Sequence, residues 1–84
     1  MKIKIANACD EIGNMLITKN RKYGNSVMEP VRIFSKADNI EQICVRIDDK
    51  LARIQSGQTD DDEDTLNDLI GYLILLKIAI SERQ

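Results

Sequence analysis

The chain has 84 residues, of which 43% are apolar and 31% charged, a composition typical of one small globular domain rather than of a disordered segment. Histidine is absent from the sequence, which excludes histidine-based zinc sites and any Ser-His or Cys-His nucleophile pair. A net charge of −2 and an aromatic content of 4% argue against non-specific nucleic-acid binding.

Charge is unevenly distributed along the chain. Residues 1–36 hold seven lysines and arginines against three acids, a net +4, whereas residues 60–84 hold seven acids against two cations, a net −5. Two regions of opposite charge predict either neutralisation within one chain or head-to-tail contact between subunits.

A first helix is predicted from about residue 5 to residue 22, because apolar residues recur every three or four positions there. Gly24 predicts its end, since glycine accepts the left-handed conformation of a helix cap, and Asn25-Ser26 favours a turn. The predicted stripe consists of Ile5, Ala8, Cys9, Ile12, Met15, Leu16 and Lys19.

A second helix is predicted over about 39–56, with Asn39 as its N-cap and Gly57 at its end. Pro30 bars a helix interior before it, so we expect a loop over 25–38, with at most a short helical turn at 31–35. The apolar seam of this helix consists of Ile40, Ile43, Cys44, Ile47, Leu51 and Ile54.

A third helix is predicted over about 60–82. Its first turn lies in the acidic run 60–64, where the helix dipole favours carboxylates and Thr59 or Asp60 can cap. Ten of the twelve residues from 69 to 80 are apolar, and they fall on two opposite faces of the helix.

This two-faced helix predicts self-association, because two other short helices are expected to cover only one of its sides. The run is too short to span a bilayer. We therefore predict one all-α domain over 1–84, a three-helix domain that assembles through helix 3 into an oligomeric helical bundle. Gly71 costs stability inside a helix and is expected where another helix or a ligand comes close.

Two cysteines, Cys9 and Cys44, lie on the predicted apolar stripes. With no signal peptide at the start of the sequence, they predict buried, reduced thiols and a cytoplasmic location, which is the host cytoplasm if a phage encodes the protein.

The basic end of helix 1 is the first candidate site. Its cations and flexible backbone suit a phosphate, although cations also complement a helix C-terminus without any ligand. The candidate ligand-binding residues are Lys19, Arg21, Lys22, Tyr23, Gly24 and Asn25.

Helix 2 offers a second group, Arg46, Lys50 and Arg53, spaced to lie on a face away from the apolar seam. They are interpreted either as further phosphate ligands or as a solvated face with an Asp49–Arg53 pair. Helix 3 offers a third group.

Asp64 and Asp68 lie one turn apart, beside Tyr72. Dipole capping explains Asp64, but Asp68 lies deeper among apolar residues, so it needs either a cationic partner, expected to be an arginine, or a metal. Paired carboxylates at this spacing suit Mg²⁺, which makes Asp64 and Asp68 candidate metal ligands.

Together, segments 22–26, 45–54 and 63–73 resemble the phage nucleotide-modification-associated small-domain family, over about residues 8–80. The resemblance lies in the motifs YG, R-x-x-x-K-x-x-R-I and E-D-T-x-x-D-L-x-x-Y. Carried over by position, the signature residues are Tyr23, Gly24, Arg46, Lys50, Arg53, Asp64, Asp68 and Tyr72.

Segment 64–76 also resembles, more distantly, the third helix of the MazG-like all-helical nucleotide pyrophosphohydrolases. Those enzymes bind Mg²⁺ with an additional E-E-x-x-E cluster on the second helix. Here Arg46 and Lys50 stand among Asp48 and Asp49, which argues against hydrolysis and leaves phosphate binding intact.

The leading expectation is a protein that binds or sequesters a nucleotide or nucleotide-derived signal in a basic pocket between subunits, with Tyr23 or Tyr72 flanking the base or ribose. In a phage, such capture of a host immune messenger would be an anti-defence function. Two alternatives stay open. One is a Mg²⁺-dependent nucleoside triphosphate pyrophosphohydrolase that uses the acids at 48, 49, 63, 64 and 68, or an accessory protein of nucleotide modification. The other is a purely structural protein–protein adaptor.

Overall fold

Three α-helices make up the fold: α1 (Lys2–Tyr23), α2 (Asn39–Gln55) and α3 (Asp62–Arg83). The computed structural model describes residues 1–30, 32–57 and 62–83, and it describes no side chain at 62–64. Within those ranges there is no strand, so the predicted all-α three-helix fold is confirmed. None of the described helices is both long and apolar enough to cross a membrane.

The helix ends follow from local chemistry. Gly24 closes α1 in the left-handed conformation with φ 64°, and its N–H donates to the carbonyl of Asn20, as the sequence predicts. Asp38 rather than Asn39 caps α2: its Oδ1 accepts the N–H of Glu41 at 2.9 Å. The predicted N-cap was wrong by one residue because two good capping residues stand side by side.

Two further predictions concern the connections that precede α2 and α3. Residues 32–38 contain no helix, so the short helical turn predicted at 31–35 does not form in its described part, 32–35. Position 31 and the predicted caps Thr59 and Asp60 lie outside the described residues.

α2 and α3 form an antiparallel pair. At one end, Arg83 Nη2 contacts Asp38 Oδ2 at 2.7 Å, and further along, Lys50 Nζ contacts Asp68 Oδ2 at 3.3 Å. α1 packs on α3 as well, so α3 is the central helix of the domain. Although α3 contacts both of its neighbours, Leu66, Leu73 and Ile80 remain 50%, 47% and 44% exposed, so part of its apolar surface is left uncovered within one chain.

Gly71 marks the place where α1 crosses α3. A Cβ atom at this position would lie 3.0 Å from Leu16 Cδ2 and 3.3 Å from Met15 Cε. Any larger residue would force those side chains aside. The predicted close approach of another helix at Gly71 is confirmed, and the helix is α1.

The interior of the chain is small. Four apolar side chains are buried in the described part of the chain: Ile12, Ile43, Leu69 and Ala79. Residues 1–11 are all exposed, so neither of the other two helices buries this half of α1. Cys9 lies in it and is exposed, and Cys44 is half-buried, so the prediction of two buried thiols was wrong for Cys9.

Candidate functional site

A cleft lies between the end of α1, the turn that follows it and the middle of α3. Its main cavity has a volume of about 220 Å³. A smaller cavity of about 110 Å³ shares Ser26, Val27 and Tyr72 with it and extends to Arg46. We call the two cavities together the tyrosine cleft. The main cavity is lined by Lys19, Tyr23, Val27, Asp68, Tyr72 and Leu75, among others.

Asp68 lies between two lysines at the edge of this cleft. Lys19 Nζ donates to its Oδ1 at 3.1 Å, and Lys50 Nζ lies 3.3 Å from its Oδ2. The Asp68 side chain is 26% exposed and that of Lys50 15% exposed, whereas Lys19 is mostly in solvent. Asp68 thus has the cationic partner that its position required, although the partners are lysines and not the expected arginine.

The ion pairs determine the charge state of Asp68. Partial burial raises the pKa of its carboxyl, but the hydrogen bond and charge of Lys19, followed by those of Lys50, outweigh burial, and the net pKa lies below the ordinary value. Asp68 is therefore an anion at neutral pH. With Lys19, Lys50 and Arg46 around it, the cleft keeps an excess of positive charge.

Lys50 does not lie on the face that the sequence predicted. It follows Ile43 by seven residues, which is almost two full helical turns, so both side chains leave α2 in nearly the same direction. Ile43 is 2% exposed and faces the interior, and this direction carries Lys50 towards α3. The cationic stripe borders the apolar seam rather than opposing it.

Acid is expected to weaken the fold through Asp68. A carboxylate whose pKa is lowered by folding stabilises the native state above its unfolded-state pKa, and this contribution is lost as pH falls through the folded-state value. Asp68→Asn should therefore lower the free energy of unfolding at pH 7, and the difference from wild type should shrink below about pH 4. Urea denaturation at pH 7 and pH 3 measures both values.

The control for this prediction is Asp48→Asn, which changes an exposed carboxylate of α2. It should lower the free energy of unfolding at pH 7 by less than Asp68→Asn does, because no lysine contact is lost. Parallel pH curves for wild type and Asp68→Asn would contradict the role assigned to the two lysine contacts.

The turn after α1 brings backbone and side chains to the cleft. Asn25 follows Gly24 with a second positive φ, 62°, and its carbonyl accepts the N–H groups of Met28 and Glu29. This tight turn folds residues 26 and 27 back onto the cleft. Asparagine is among the residues that tolerate the left-handed region, which explains its place beside the glycine.

The remaining cations of the basic helix end lie elsewhere. The Lys22 ammonium sits 5.4 Å from the centre of the Tyr23 ring, a cation–π distance. Arg21 and Asn25 line a neighbouring groove between α1 and the end of α3 instead of the tyrosine cleft. The structure thus separates the predicted basic segment into two groups.

The cationic stripe of α2 is divided in the same way. Arg46 reaches the smaller cavity beside Tyr72, and Lys50 pairs with Asp68. Arg53 is exposed near the end of α2 and is not among the residues that line either cavity of the cleft. Of the three predicted phosphate ligands on α2, Arg46 is the one that opens into the cleft.

Asp68, the described member of the predicted magnesium pair, is already paired with cations. Asp68 presents both oxygens to ammonium groups, which occupy the positions that a cation would need. Among the described residues, no group of three or more Cys, Asp or Glu side chains is placed to hold a metal ion. The side chain of Asp64, the second predicted ligand, lies outside the described residues, as does that of Glu63.

Sequence reasoning missed the apolar wall of the cleft. Met15 and Leu16 from α1, Val27 from the turn and Leu75 from α3 line the main cavity beside the polar residues. The signal was present for the helical ones: Met15 lies one turn before Lys19, and Leu75 lies one turn after Tyr72. Val27 depends on the shape of the turn and had no such signal.

Comparison with known proteins returns no match: no family model, no curated protein and no solved structure is similar to this chain. The resemblance to the phage nucleotide-modification-associated domain and to MazG-like enzymes therefore stays a prediction. Function has to be argued from the tyrosine cleft itself.

Proposed function

We propose that the protein binds a nucleotide or nucleotide-derived small molecule in the tyrosine cleft and retains it without hydrolysis. The carrying observation is that Tyr23, Tyr72, Lys19 and Asp68 line one cavity, although they come from α1 and α3. Lys50 of α2 contacts Asp68 from outside this lining, and Arg46 of α2 lines the adjoining cavity. Flat aromatic surfaces suit a base, and lysine and arginine suit a phosphate.

Each side of the cleft has a distinct role in this proposal. Tyr23 and Tyr72 flank the base, and the apolar side chains of Leu16 and Leu75 exclude water from it. Arg46 lies across Tyr72 in the adjoining cavity and supplies a two-pronged donor for a phosphate. Asp68, an anion held by its lysines, offers an acceptor for hydroxyl or amino groups.

Self-association is part of the same proposal. Ligand pockets usually enclose about 300 to 1,000 Å³. The main cavity of a single chain encloses about 220 Å³ and opens to solvent at the mostly exposed Lys19. A second copy placed over this opening would enlarge the pocket and complete its wall, as expected for a pocket between subunits.

Binding without hydrolysis is favoured over the enzyme alternative. Mg²⁺-dependent hydrolysis of a nucleoside triphosphate needs carboxylates that hold the metal ion, which in turn activates a water molecule. Asp68 is committed to Lys19 and Lys50 instead. Release of pyrophosphate from a nucleoside triphosphate in the presence of Mg²⁺ would replace this proposal with the enzyme alternative.

Calorimetry with a panel of linear and cyclic nucleotides tests the proposal, with inorganic phosphate and a free nucleoside as separate arms. At least one nucleotide should bind, and Arg46→Ala should weaken it about tenfold to a hundredfold, the effect of losing a charged hydrogen bond. Lys36→Ala, which removes an exposed lysine before α2, should leave affinity unchanged.

Two results would contradict the proposal. One is the absence of heat with every member of the panel at millimolar concentration. The other is equal affinity of wild type and Arg46→Ala, which would move binding away from the tyrosine cleft.

A further inference from the structure

We propose that the first half of α1 docks on the exposed side of α3 in a second copy, and that the exchange is reciprocal, which makes the protein a two-fold dimer. The α1 arm denotes residues 2–11. The α3 groove denotes the surface lined by Leu73, Leu76, Lys77, Ile78, Ile80 and Glu82. The inference goes beyond the proposed function, because neither surface belongs to the lining of the tyrosine cleft, and it does not depend on any ligand.

The chain exposes more surface than a folded monomer of its size is expected to expose. A folded monomer of 9.5 kDa is expected to expose about 5,000 Å². The chain exposes 6741 Å². The excess, roughly 1,700 Å², is about twice what each partner contributes to a standard protein interface and falls in the range of obligate dimers. A second copy has the area needed to cover it.

The α1 arm carries an apolar stripe. Its Ile5, Ala8 and Cys9 continue, turn by turn, the stripe that is buried at Ile12. After Ile12, towards the C-terminal end of α1, the stripe packs within its own chain, whereas every residue of the arm is exposed. A contiguous row of exposed apolar side chains on a helix is typical of a contact surface, so this stripe indicates a partner.

The α3 groove matches the arm in length and apolar character. Leu73, Ile78 and Ile80 remain 47%, 41% and 44% exposed, although they lie on the central helix. From residue 73 to residue 82, α3 rises about 14 Å, and the ten residues of the arm rise about 15 Å. One arm therefore covers one groove.

Charge fixes the direction of docking. The arm carries Lys2 and Lys4 at its start and Asp10 and Glu11 at its end, whereas the groove has Lys77 and, five residues later, Glu82. An antiparallel arm places Lys4 by Glu82 and Asp10 by Lys77. The two spacings, about 9 Å on the arm and about 7.5 Å on α3, agree to within about 2 Å.

The helix dipoles favour the same direction. α1 has no acidic residue in its first turn and no side-chain cap. α3 ends with one cation in its last turn, Arg83, which already contacts Asp38. Antiparallel docking sets the positive end of α1 beside the negative end of α3 in the other copy, and each neutralises the other.

Native Cys9 gives a direct test, because it lies on the docking stripe and is exposed. In this register, Cys9 falls opposite residue 77 of the other copy. In a Cys44→Ala background, Lys77→Cys should therefore form a covalent dimer through Cys9 under mild oxidation. The matched control is Lys36→Cys, an exposed lysine replaced in the same way away from the groove. It should yield no dimer above the Cys44→Ala background.

A charge exchange supplies a second readout that does not need oxidation. Lys4→Glu should weaken dimerisation roughly tenfold, because two contacts per dimer become repulsive. Adding Glu82→Lys to the same chain should restore it, and sedimentation measures both constants.

Equal crosslinking at positions 77 and 36, or failure of Glu82→Lys to restore the Lys4→Glu dimer, would overturn the inference. Calorimetry on the tyrosine cleft reports separately, so ligand binding by a chain that fails these tests would leave the proposed function standing.

Discussion

Replacing Leu73 with glutamate is expected to make the protein monomeric at micromolar concentration, with self-association weakened by at least about a hundredfold. Leu73 is 47% exposed on the central helix and lines the α3 groove. In a single chain the glutamate carboxylate reaches solvent, so folding should persist. In the dimer it would be buried in both copies, and it would compete with Asp10 and Glu11 of the docked arm for Lys77, one turn away.

Sedimentation equilibrium measures the effect, and circular dichroism of the same sample establishes that the helices remain. Ile33→Glu is the matched control, because Ile33 is 77% exposed and lies in the connection before α2, away from the groove. A Leu73→Glu chain that associates as tightly as wild type would remove α3 from the interface.

Gly71→Leu should produce the largest loss of stability of any single substitution considered. The leucine Cβ alone would lie 3.0 Å from Leu16 Cδ2, and the rest of the side chain would have to displace α1. Overpacking of this kind costs about 3 kcal/mol, against about 1 kcal/mol regained by replacing glycine in a helix. Since domains of this size are stable by only about 5 kcal/mol, the net loss is large.

Gly13→Leu is the control for this substitution. Gly13 also lies inside a helix, but a Cβ there meets nothing within 4 Å in the chain. This change should therefore stabilise the helix by roughly 0.5 to 1 kcal/mol. Urea denaturation of the two variants should move the midpoint in opposite directions, and movement in the same direction would contradict the assigned crossing point.

Gly71→Leu and Leu73→Glu should also differ in their effect on ligand binding. Gly71→Leu should abolish binding, because α1 supplies Leu16, Lys19 and Tyr23 to the cleft and would no longer sit against α3. Leu73→Glu should leave ligand binding in place, because Leu73 lines neither cavity of the tyrosine cleft.

Local chemistry made the helices predictable. Gly24 ends α1 as expected, and α2 and α3 begin within two residues of their predicted starts, because caps and turns depend on neighbours in sequence. The start of α1 was placed three residues late, since Lys2 and Lys4 carry no apolar periodicity. Such residues extend a helix without marking it.

Fewer features of the cleft could be predicted from the sequence. The need for a cation at Asp68 followed from its apolar surroundings, but nothing local shows that Lys19, 49 residues away, would supply one. Lys50 was assigned to the wrong face because its stripe borders the seam of α2. Which of two adjacent directions faces α3 depends on how the helices pack, and that is a tertiary property.

The same limit applies to self-association. The apolar faces of α3 predicted an uncovered side, but the sequence did not show that Leu73 and Ile80 would be among the residues left exposed once α1 and α2 pack on α3. The exposed arm of α1 appeared in the sequence as an ordinary amphipathic segment. Its lack of a partner within the chain became visible only in the fold.

Native mass spectrometry of the protein purified from cells tests the central claim most directly, because one spectrum reports both stoichiometry and any retained small molecule. The account predicts an assembly of two chains, or a multiple of two, that carries an added mass in the range of a nucleotide and loses it in the Arg46→Ala variant. Bare single chains of 9.5 kDa at micromolar concentration, with no added mass, would contradict it.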